Sequence, residues 1–486
     1  MIMCGIVGIY KTSDDVCSEI YDGLIQVQHR GQDAAGISTW DGSKMHLQKE
    51  LGLVTEAFKK ESSYSHLVGN IGIGHVRYPT AGSDDVSEAQ PFHTANPVNI
   101  TLAHNGTLIN SEEIREDLVK THFCQFNTNS DSEVLLNLFA YELYKTNFRK
   151  LTNQHIYKAL KGVFEKCQGG YAVTMLVAGI GLVAFRDPNG IRPLSIGKRK
   201  DSLMIASESS ALTALEFEVL SSVAPGQAII INESGELFKR WITRGNEHLP
   251  CLFEFVYFSR PDSNIDSISV HKTRLRMGDF LGEKVKNEYS KLDIDVVIPI
   301  PDTSRTAAMQ VAYKLGVKYR EGFMKNRYIG RTFIMPGQSL RKRTVKQKLN
   351  PIDIEFNNKN VLLVDDSIVR GHTSKRIIQM VKNSGAKRVC FASASPPVRF
   401  QNIYGIDMPA TKELIAHKRT VSQIRKAIGA DELIYQNLED LKMAAHIGNP
   451  KIKKFEDSVF TGQYNVGTVT KEFLNSLEKS RLDSNR

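Results

Sequence analysis

Cys4 stands out by its address. A cysteine that becomes the first residue of a chain owns both a thiol and a free α-amine. An α-amine titrates near 8, against about 10.4 for lysine, so roughly a tenth of it is deprotonated at pH 7. It can accept the thiol proton, which is how nucleophiles at an N-terminus are activated. That chemistry requires residues 1–3, Met1-Ile-Met3, to be absent from the active chain. Two routes lead there: removal of a short propeptide, or translation from Met3 followed by methionine removal. Alone, a cysteine so near a terminus reads better as a small buried hydrophobe.

A second chemistry is written in Val361-Leu-Leu-Val-Asp-Asp-Ser-Ile-Val-Arg-Gly-His-Thr-Ser374. A short apolar run ends in two carboxylates, and a turn of small residues then opens a helical pattern with Ile377, Ile378 and Val381 on one face. Ligands bind at the carboxyl ends of parallel strands. Backbone N–H groups at the helix start, with the hydroxyls of Ser367, Thr373 and Ser374, suit a phosphate. Asp365 and Asp366 are placed to take ribose hydroxyls or to hold magnesium.

These two regions need different supports. The first half mixes short β-rich runs (Ile71–His75, Tyr171–Val177, Ala228–Ile231) with two helical patterns. One opens at Ser130-Asp-Ser-Glu133, which has capping-box form, and runs from Val134 to Leu143. The other places Ile156, Leu160, Val163 and Phe164 on one face. Strands clustered apart from helices predict an α+β sandwich. After residue 250 the rhythm changes to apolar runs, Val296–Ile300 and Val361–Val364, each followed by a polar turn and a helical pattern. That alternation predicts a doubly wound α/β domain with a parallel sheet. The predicted divisions are 4–240, 241–450 and a charged, helical tail at 451–486.

Charge follows the same division. Residues 1–240 carry 22 basic and 27 acidic side chains, whereas residues 241–486 carry 41 and 26. A polyanion is therefore expected on the second half. The stretch from Lys325 to Asn350 has eight basic residues and no acidic one, with Gly330, Pro336 and Gly337 inside it, and reads as a surface loop. It lacks the alternating aromatics of single-strand binders, so no nucleic acid is expected. No apolar run reaches the 20 or so residues a membrane helix needs, and no signal peptide is visible. The six cysteines are scattered without a C-x-x-C pair, as in a cytoplasmic chain.

Five elements occur in order: Cys4-Gly-Ile-Val-Gly8, Gln28-His-Arg-Gly-Gln-Asp-Ala-Ala-Gly36, Gly74-His-Val-Arg-Tyr-Pro-Thr80, His104-Asn-Gly106 and Asp131-Ser-Glu133. Together they resemble the class II glutamine amidotransferase domain, which folds as an N-terminal-nucleophile sandwich. By that resemblance Cys4 attacks the glutamine amide, while the Asn105 side chain and Gly106 N–H hold the oxyanion. Arg77 takes the substrate carboxylate, Asp131 its ammonium, and Arg30 completes the glutamine site by orienting the nucleophile loop. Singly, Asn105-Gly106 is a common hairpin turn and Arg77 a surface ion pair.

The stretch from Val361 to Ser374 resembles the phosphoribosyl-pyrophosphate motif of type I phosphoribosyltransferases, implicating Asp365, Asp366, Ser367, Arg370, Gly371, His372, Thr373 and Ser374. Pro299-Ile-Pro-Asp-Thr-Ser304 resembles their pyrophosphate loop, with Ser304 beside the metal. The segment from Lys325 to Gly337 resembles their closing loop, with Lys325 at its start. Both domains in this order, with Phe255-Val-Tyr-Phe-Ser-Arg-Pro-Asp-Ser263 between them, resemble the amidophosphoribosyltransferase family. The resemblance implies glutamine and phosphoribosyl pyrophosphate as substrates, and 5-phosphoribosylamine, glutamate and pyrophosphate as products. It also implies one Mg²⁺ per subunit, purine nucleotides as feedback inhibitors and a homotetramer. His372 departs from the usual Thr of the phosphate loop. An iron–sulfur cluster, found in one branch, is not expected: Cys251 resembles one ligand position, while Asn402 and the Lys454–Phe460 stretch lack the others. Two rival functions remain: a phosphoribosyl-pyrophosphate sensor without turnover, and an RNA-binding protein using the basic loop.

Overall fold

The computed structural model describes residues 3–60, 64–78, 85–122, 124–325 and 349–483. Most of the basic loop (326–348), Thr80 and the last three residues lie outside them.

Two antiparallel sheets stack in the first half. One orders its strands Glu218–Ser222, Ser195–Arg199, Ser202–Ala206, Gly5–Tyr10, Ile71–Arg77, Ala34–Trp40 and Met45–Leu51. The other orders them Leu237–Trp241, Gln227–Asn232, Gly181–Arg186, Gly169–Val177, Ile100–Leu108 and Phe92–Thr94. Side chains such as Ile6, Ile73, Leu176, Leu182 and Ile229 fill the space between them. Helix Cys17–Val27 covers the outer face of the first sheet through Ile20, Leu24 and Val27. Helices Asp131–Tyr144 and Asn153–Lys166 cover the second through Leu135, Phe139, Ile156 and Leu160. The central strands are thus buried on both faces, so one such as Gly5–Tyr10 reads as a continuous apolar run. The sandwich expected from the strand and helix clusters is present, as four layers.

The second half is a five-stranded sheet in the order Lys318–Tyr319, Val296–Pro299, Asn360–Asp365, Arg388–Ser393 and Glu432–Tyr435, every pairing parallel. Helices Val270–Glu288, Arg305–Leu315 and Leu438–His446 pack on one face, and His372–Asn383 with Val421–Ile428 on the other. This is the expected doubly wound domain. Residues 452–460 differ from their charged, helical appearance in sequence. Ile452, Phe455, Val459 and Phe460 are buried in the same core as Leu252, Phe253 and Phe255. The backbone exchanges Leu252 N–H to Glu456 O and Glu456 N–H to Pro250 O, each 3.0 Å, so this segment closes the domain junction.

Candidate active sites

Sheet register brings the first set together. Gly5 pairs with Val76 in antiparallel fashion, so Cys4 falls opposite Arg77 at the end of its strand. Burial pushes the Cys4 thiol up, while the Tyr78 backbone N–H and the Arg77 and Arg30 guanidiniums pull the other way and Asp131 adds to the rise. All three charged residues of the predicted set therefore act on one sulfur. Arg77 is 8% exposed and lies 3.9 Å from Glu88.

Asn105-Gly106 is not a turn. It lies within strand Ile100–Leu108, opposite Ala172 and Tyr171. Gly106 has φ +154°, and a Cβ there would come within 2.1 Å of the Gly170 carbonyl oxygen. Only glycine fits this strand position. The Asn105 amide is fully buried, and neither its oxygen nor its nitrogen has a hydrogen-bond partner among the described residues. A buried amide left free in this way costs stability unless something else uses it. Asp131 opens its helix, and its Oδ2 accepts the Leu108 N–H at 2.9 Å, tying the helix start to the strand of Asn105. Ser130 caps the helix as expected, but Glu133 does not complete the box. Its oxygens instead accept the N–H groups of Asn127 and Thr128.

Arg30 is 1% exposed and spends its guanidinium inside the protein. Nε donates to the Cys4 carbonyl at 3.2 Å, Nη1 to Glu208 at 2.5 Å and Nη2 to Glu254 at 2.7 Å. Glu254 begins the π-helical turn Glu254–Phe258 at the domain junction. Arg274 of the second domain donates to the Phe255, Tyr257 and Ser259 carbonyls of this stretch. Arg30 thus touches the nucleophile's backbone and both domains. Neither Glu208 nor Glu254 was flagged by the sequence motifs.

The second set gathers at the carboxyl end of Asn360–Asp365. Asp366 accepts hydrogen bonds from Ser367 Oγ at 2.6 Å and from Thr303 Oγ1, so the two loops meet on one carboxylate. Burial pushes both Asp365 and Asp366 up, and Asp366 pushes Asp365 further. Gly371 has φ +76° and precedes helix His372–Asn383, whose first two residues are exposed while Ser374 is buried. Arg370 pairs with Glu413 at 3.1 Å, and Lys325 with Asp302 at 2.8 Å. Ser304 is buried and donates its hydroxyl to the Ile300 carbonyl, so Thr303 is the residue of that loop that reaches Asp366.

Adjacent carboxylates, Asp366 buried and Asp365 half-buried, both pushed up by their surroundings, fit a divalent cation. No cluster of three or more potential His, Cys, Asp or Glu ligands occurs among the described residues. Two adjacent carboxylates are the kind of protein ligand magnesium uses, since it completes its shell with water and substrate phosphates. An iron–sulfur cluster does not fit. Cys251 bridges to Glu456, which accepts from Asn402 at 3.3 Å and from Ser458. That gathering has one thiol where a cluster wants four.

The glutamine amidotransferase domain family matches residues 75–214, and the phosphoribosyl transferase domain family residues 266–397. Amidophosphoribosyltransferase from Pseudomonas aeruginosa is 53% identical over 488 residues, covering 100% of this chain and 97% of its own. The chain belongs to the amidophosphoribosyltransferase family. The Escherichia coli amidophosphoribosyltransferase is also 53% identical, over 99% of this chain and 96% of its own. A solved B. subtilis glutamine phosphoribosylpyrophosphate amidotransferase, complexed with ADP and GMP, has a TM-score of 0.85 at 36% identity over 96% of this chain and 98% of its own. A second structure, described as the allosteric regulatory enzyme of purine biosynthesis, has a TM-score of 0.86 at 36% identity, covering 98% and 99%. The activity is therefore glutamine-dependent amidophosphoribosyl transfer, the first step of purine biosynthesis. No described helix is long and apolar enough to cross a bilayer.

Proposed function

We propose that the amidophosphoribosyltransferase reaction divides between the sites as follows. Cys4, freed of residues 1–3, passes its thiol proton to its own α-amine and attacks the glutamine side-chain amide. Asn105 and the Gly106 N–H hold the oxyanion, a kind of contact whose loss costs about 10²–10³ in rate. Collapse breaks the C–N bond as the α-ammonium returns its proton to the leaving nitrogen, releasing ammonia and leaving a thioester on Cys4 that water cleaves to glutamate. Arg77 holds the substrate carboxylate through its planar fork and Asp131 the ammonium. Arg30 positions the nucleophile through the Cys4 carbonyl.

Ammonia then attacks C1 of phosphoribosyl pyrophosphate from the face opposite the leaving group, forming 5-phosphoribosylamine with inversion and expelling pyrophosphate. Asp365 and Asp366 would hold magnesium, which screens charge on the departing pyrophosphate. The helix start at Gly371–Ser374, with Ser367, cradles the 5-phosphate. Arg370 and Lys325, now paired with Glu413 and Asp302, exchange those partners for substrate phosphates. His372 contributes through its backbone. Ser304 shapes the pyrophosphate loop near the metal. Purine nucleotides as feedback inhibitors fit the ADP and GMP bound to the B. subtilis relative, and a homotetramer follows from the family resemblance.

The observation that carries this reading is the gathering of Arg77 opposite Cys4 in the sheet register, Arg30 on the Cys4 carbonyl and the buried, unpartnered Asn105 amide. Turnover rather than mere sensing follows from that intact set. The test is Cys4→Ser. Glutamine-dependent phosphoribosylamine synthesis is lost, ammonia-dependent synthesis persists, and intact mass of the active native enzyme shows a chain starting at Cys4. Equal loss of both activities defeats the division of labour.

A further inference from the structure

Asp131 is held by more than the Leu108 N–H. Its Oδ1 lies 3.4 Å from Ser132 Oγ and 3.8 Å from His104 Nδ1. Ser132 Oγ accepts the Gln90 Nε2–H at 3.0 Å and sits 3.0 Å from His104 Nδ1. Gln90 Oε1 accepts the His104 backbone N–H at 2.7 Å, closing the loop back onto the strand of Asn105. Ser132 and His104 are each 1% exposed and Gln90 is 6% exposed. Helix capping does not explain Ser132 Oγ, because Ser130 performs that task.

The donors can be ordered. Burial holds His104 below the ordinary imidazole range, although Asp131 works against it, so near neutral pH the ring carries a single N–H. With that hydrogen on Nδ1, Ser132 accepts from both Gln90 and His104 and has its own hydrogen left for Asp131 Oδ1. The long 3.4 Å contact leaves Oδ1 with free lone pairs, whereas Oδ2 is committed to Leu108.

We propose that Gln90 and Ser132 are positioning residues that aim Asp131 Oδ1 at the α-ammonium of glutamine, setting the preference for an amino acid over a simple carboxylic amide. This rests on the reading of Asp131 as the ammonium acceptor. A side chain that aims a charge affects recognition of that one substrate group. A side chain that merely packs affects every substrate alike.

The experiment compares glutamine with glutaramate, which lacks only the α-amino group, as substrates for ammonia release by the full-length enzyme. Ser132→Ala is expected to lower the glutamine-to-glutaramate ratio of kcat/KM about tenfold, or about 1.4 kcal/mol, chiefly through a higher KM for glutamine. Gln90→Met moves the ratio in the same direction, and Ser132→Thr restores it. Asp131→Asn supplies the reference collapse of the ratio. If that collapse occurs while Ser132→Ala and Gln90→Met keep the native ratio, or lower both substrates equally, the positioning role is overturned and the reading of Asp131 stands. If Asp131→Asn itself keeps the ratio, that reading fails and the proposal fails with it.

Discussion

Replacing Arg30 with methionine removes a guanidinium shared by two buried carboxylates and one backbone carbonyl. Glu208 keeps its contacts from His29 at 2.7 Å and Ser263 at 2.8 Å, and Glu254 keeps Ser259 at 2.7 Å, so neither is stripped bare. Still, the two carboxylates would remain fully buried with much of their compensating charge gone. Breaking a buried pair from one side costs about 3–5 kcal/mol. At about 2–4 °C per kcal/mol for a domain of this size, the thermal midpoint at pH 7 should fall by about 10 °C.

The pH dependence carries a sharper signature. Burial would push the Glu208 carboxyl up, but Arg30 and His29 overcome it and hold the group below the ordinary carboxylate range. A folded-state pKa depressed in this way gives stability that is fully present above the unfolded value of about 4.3 and lost progressively as pH falls below it through the lower folded value. Without Arg30 the burial effect gains the upper hand, and the carboxyl moves upward. A group raised above its unfolded value gains stability as pH falls, so the variant's deficit should be largest near pH 8 and shrink toward pH 5. Scanning calorimetry of both proteins from pH 5 to 8 reads this directly. A native midpoint at pH 7, or a deficit that deepens on acidification, refutes the assignment. Arg30→Lys should recover part of the midpoint but not the glutaminase rate, because one ammonium cannot span three partners.

Two further substitutions address the sugar site. Asp366→Asn should lower synthesis from both glutamine and ammonia at least tenfold, about 1.4 kcal/mol of barrier, while glutamine hydrolysis persists; native pyrophosphate release at saturating magnesium counts against it. Gly371→Ala should raise the KM for phosphoribosyl pyrophosphate at least tenfold in ammonia-dependent assays. Its Cβ would stand 2.2 Å from Ile415 Cδ1 at φ +76°, a backbone costing a non-glycine residue about 1–2 kcal/mol, and an unchanged KM would show that the loop tolerates the shift.

What the chain disclosed in advance depended on how local each signal was. The buried strands and the amphipathic helices needed only periodicity, and Ile377, Ile378 and Val381 do face the core. The family was legible because residue types and order recur as one set. Asn105-Gly106 shows the limit, since its local chemistry says turn. A strand results because the Gly169–Val177 strand lies against it, 64 residues away at the Gly106–Gly170 approach. Arg30 could be singled out, but not its partners, which lie 178 and 224 positions along the chain. In residues 452–460 the apolar side chains are interleaved with Lys453, Lys454, Glu456 and Asp457, so composition reads as a solvated tail although the segment packs inside. Thr303 was passed over for Ser304 because spacing along a loop does not reveal which hydroxyl turns toward Asp366.

The domain junction explains why the two chemistries belong on one chain. Residues beyond the amidotransferase sandwich touch the proposed glutamine site at two places. At the nucleophile, Glu254 shares Arg30 with the Cys4 carbonyl. At the oxyanion strand, Gly405 packs so closely that a Cβ there would stand 2.7 Å from Gly106 Cα. That loop is itself braced, because Asn402 Oδ1 accepts the N–H groups of Tyr404 and Ile406, and the Tyr404 hydroxyl donates to the Val466 carbonyl. Backbone against backbone leaves no side chain to repack, so displacement of this loop must be felt at Gly106. On the proposed assignment, ammonia freed at Cys4 is released among residues that both halves of the chain supply. In bulk water at pH 7 it would become ammonium and lose its nucleophilic lone pair, which makes exclusion of water during transfer a chemical requirement. A junction built from a shared buried arginine and touching glycines meets that requirement only while both domains stay docked, so weakening it should uncouple glutamine hydrolysis from sugar amination before it abolishes either.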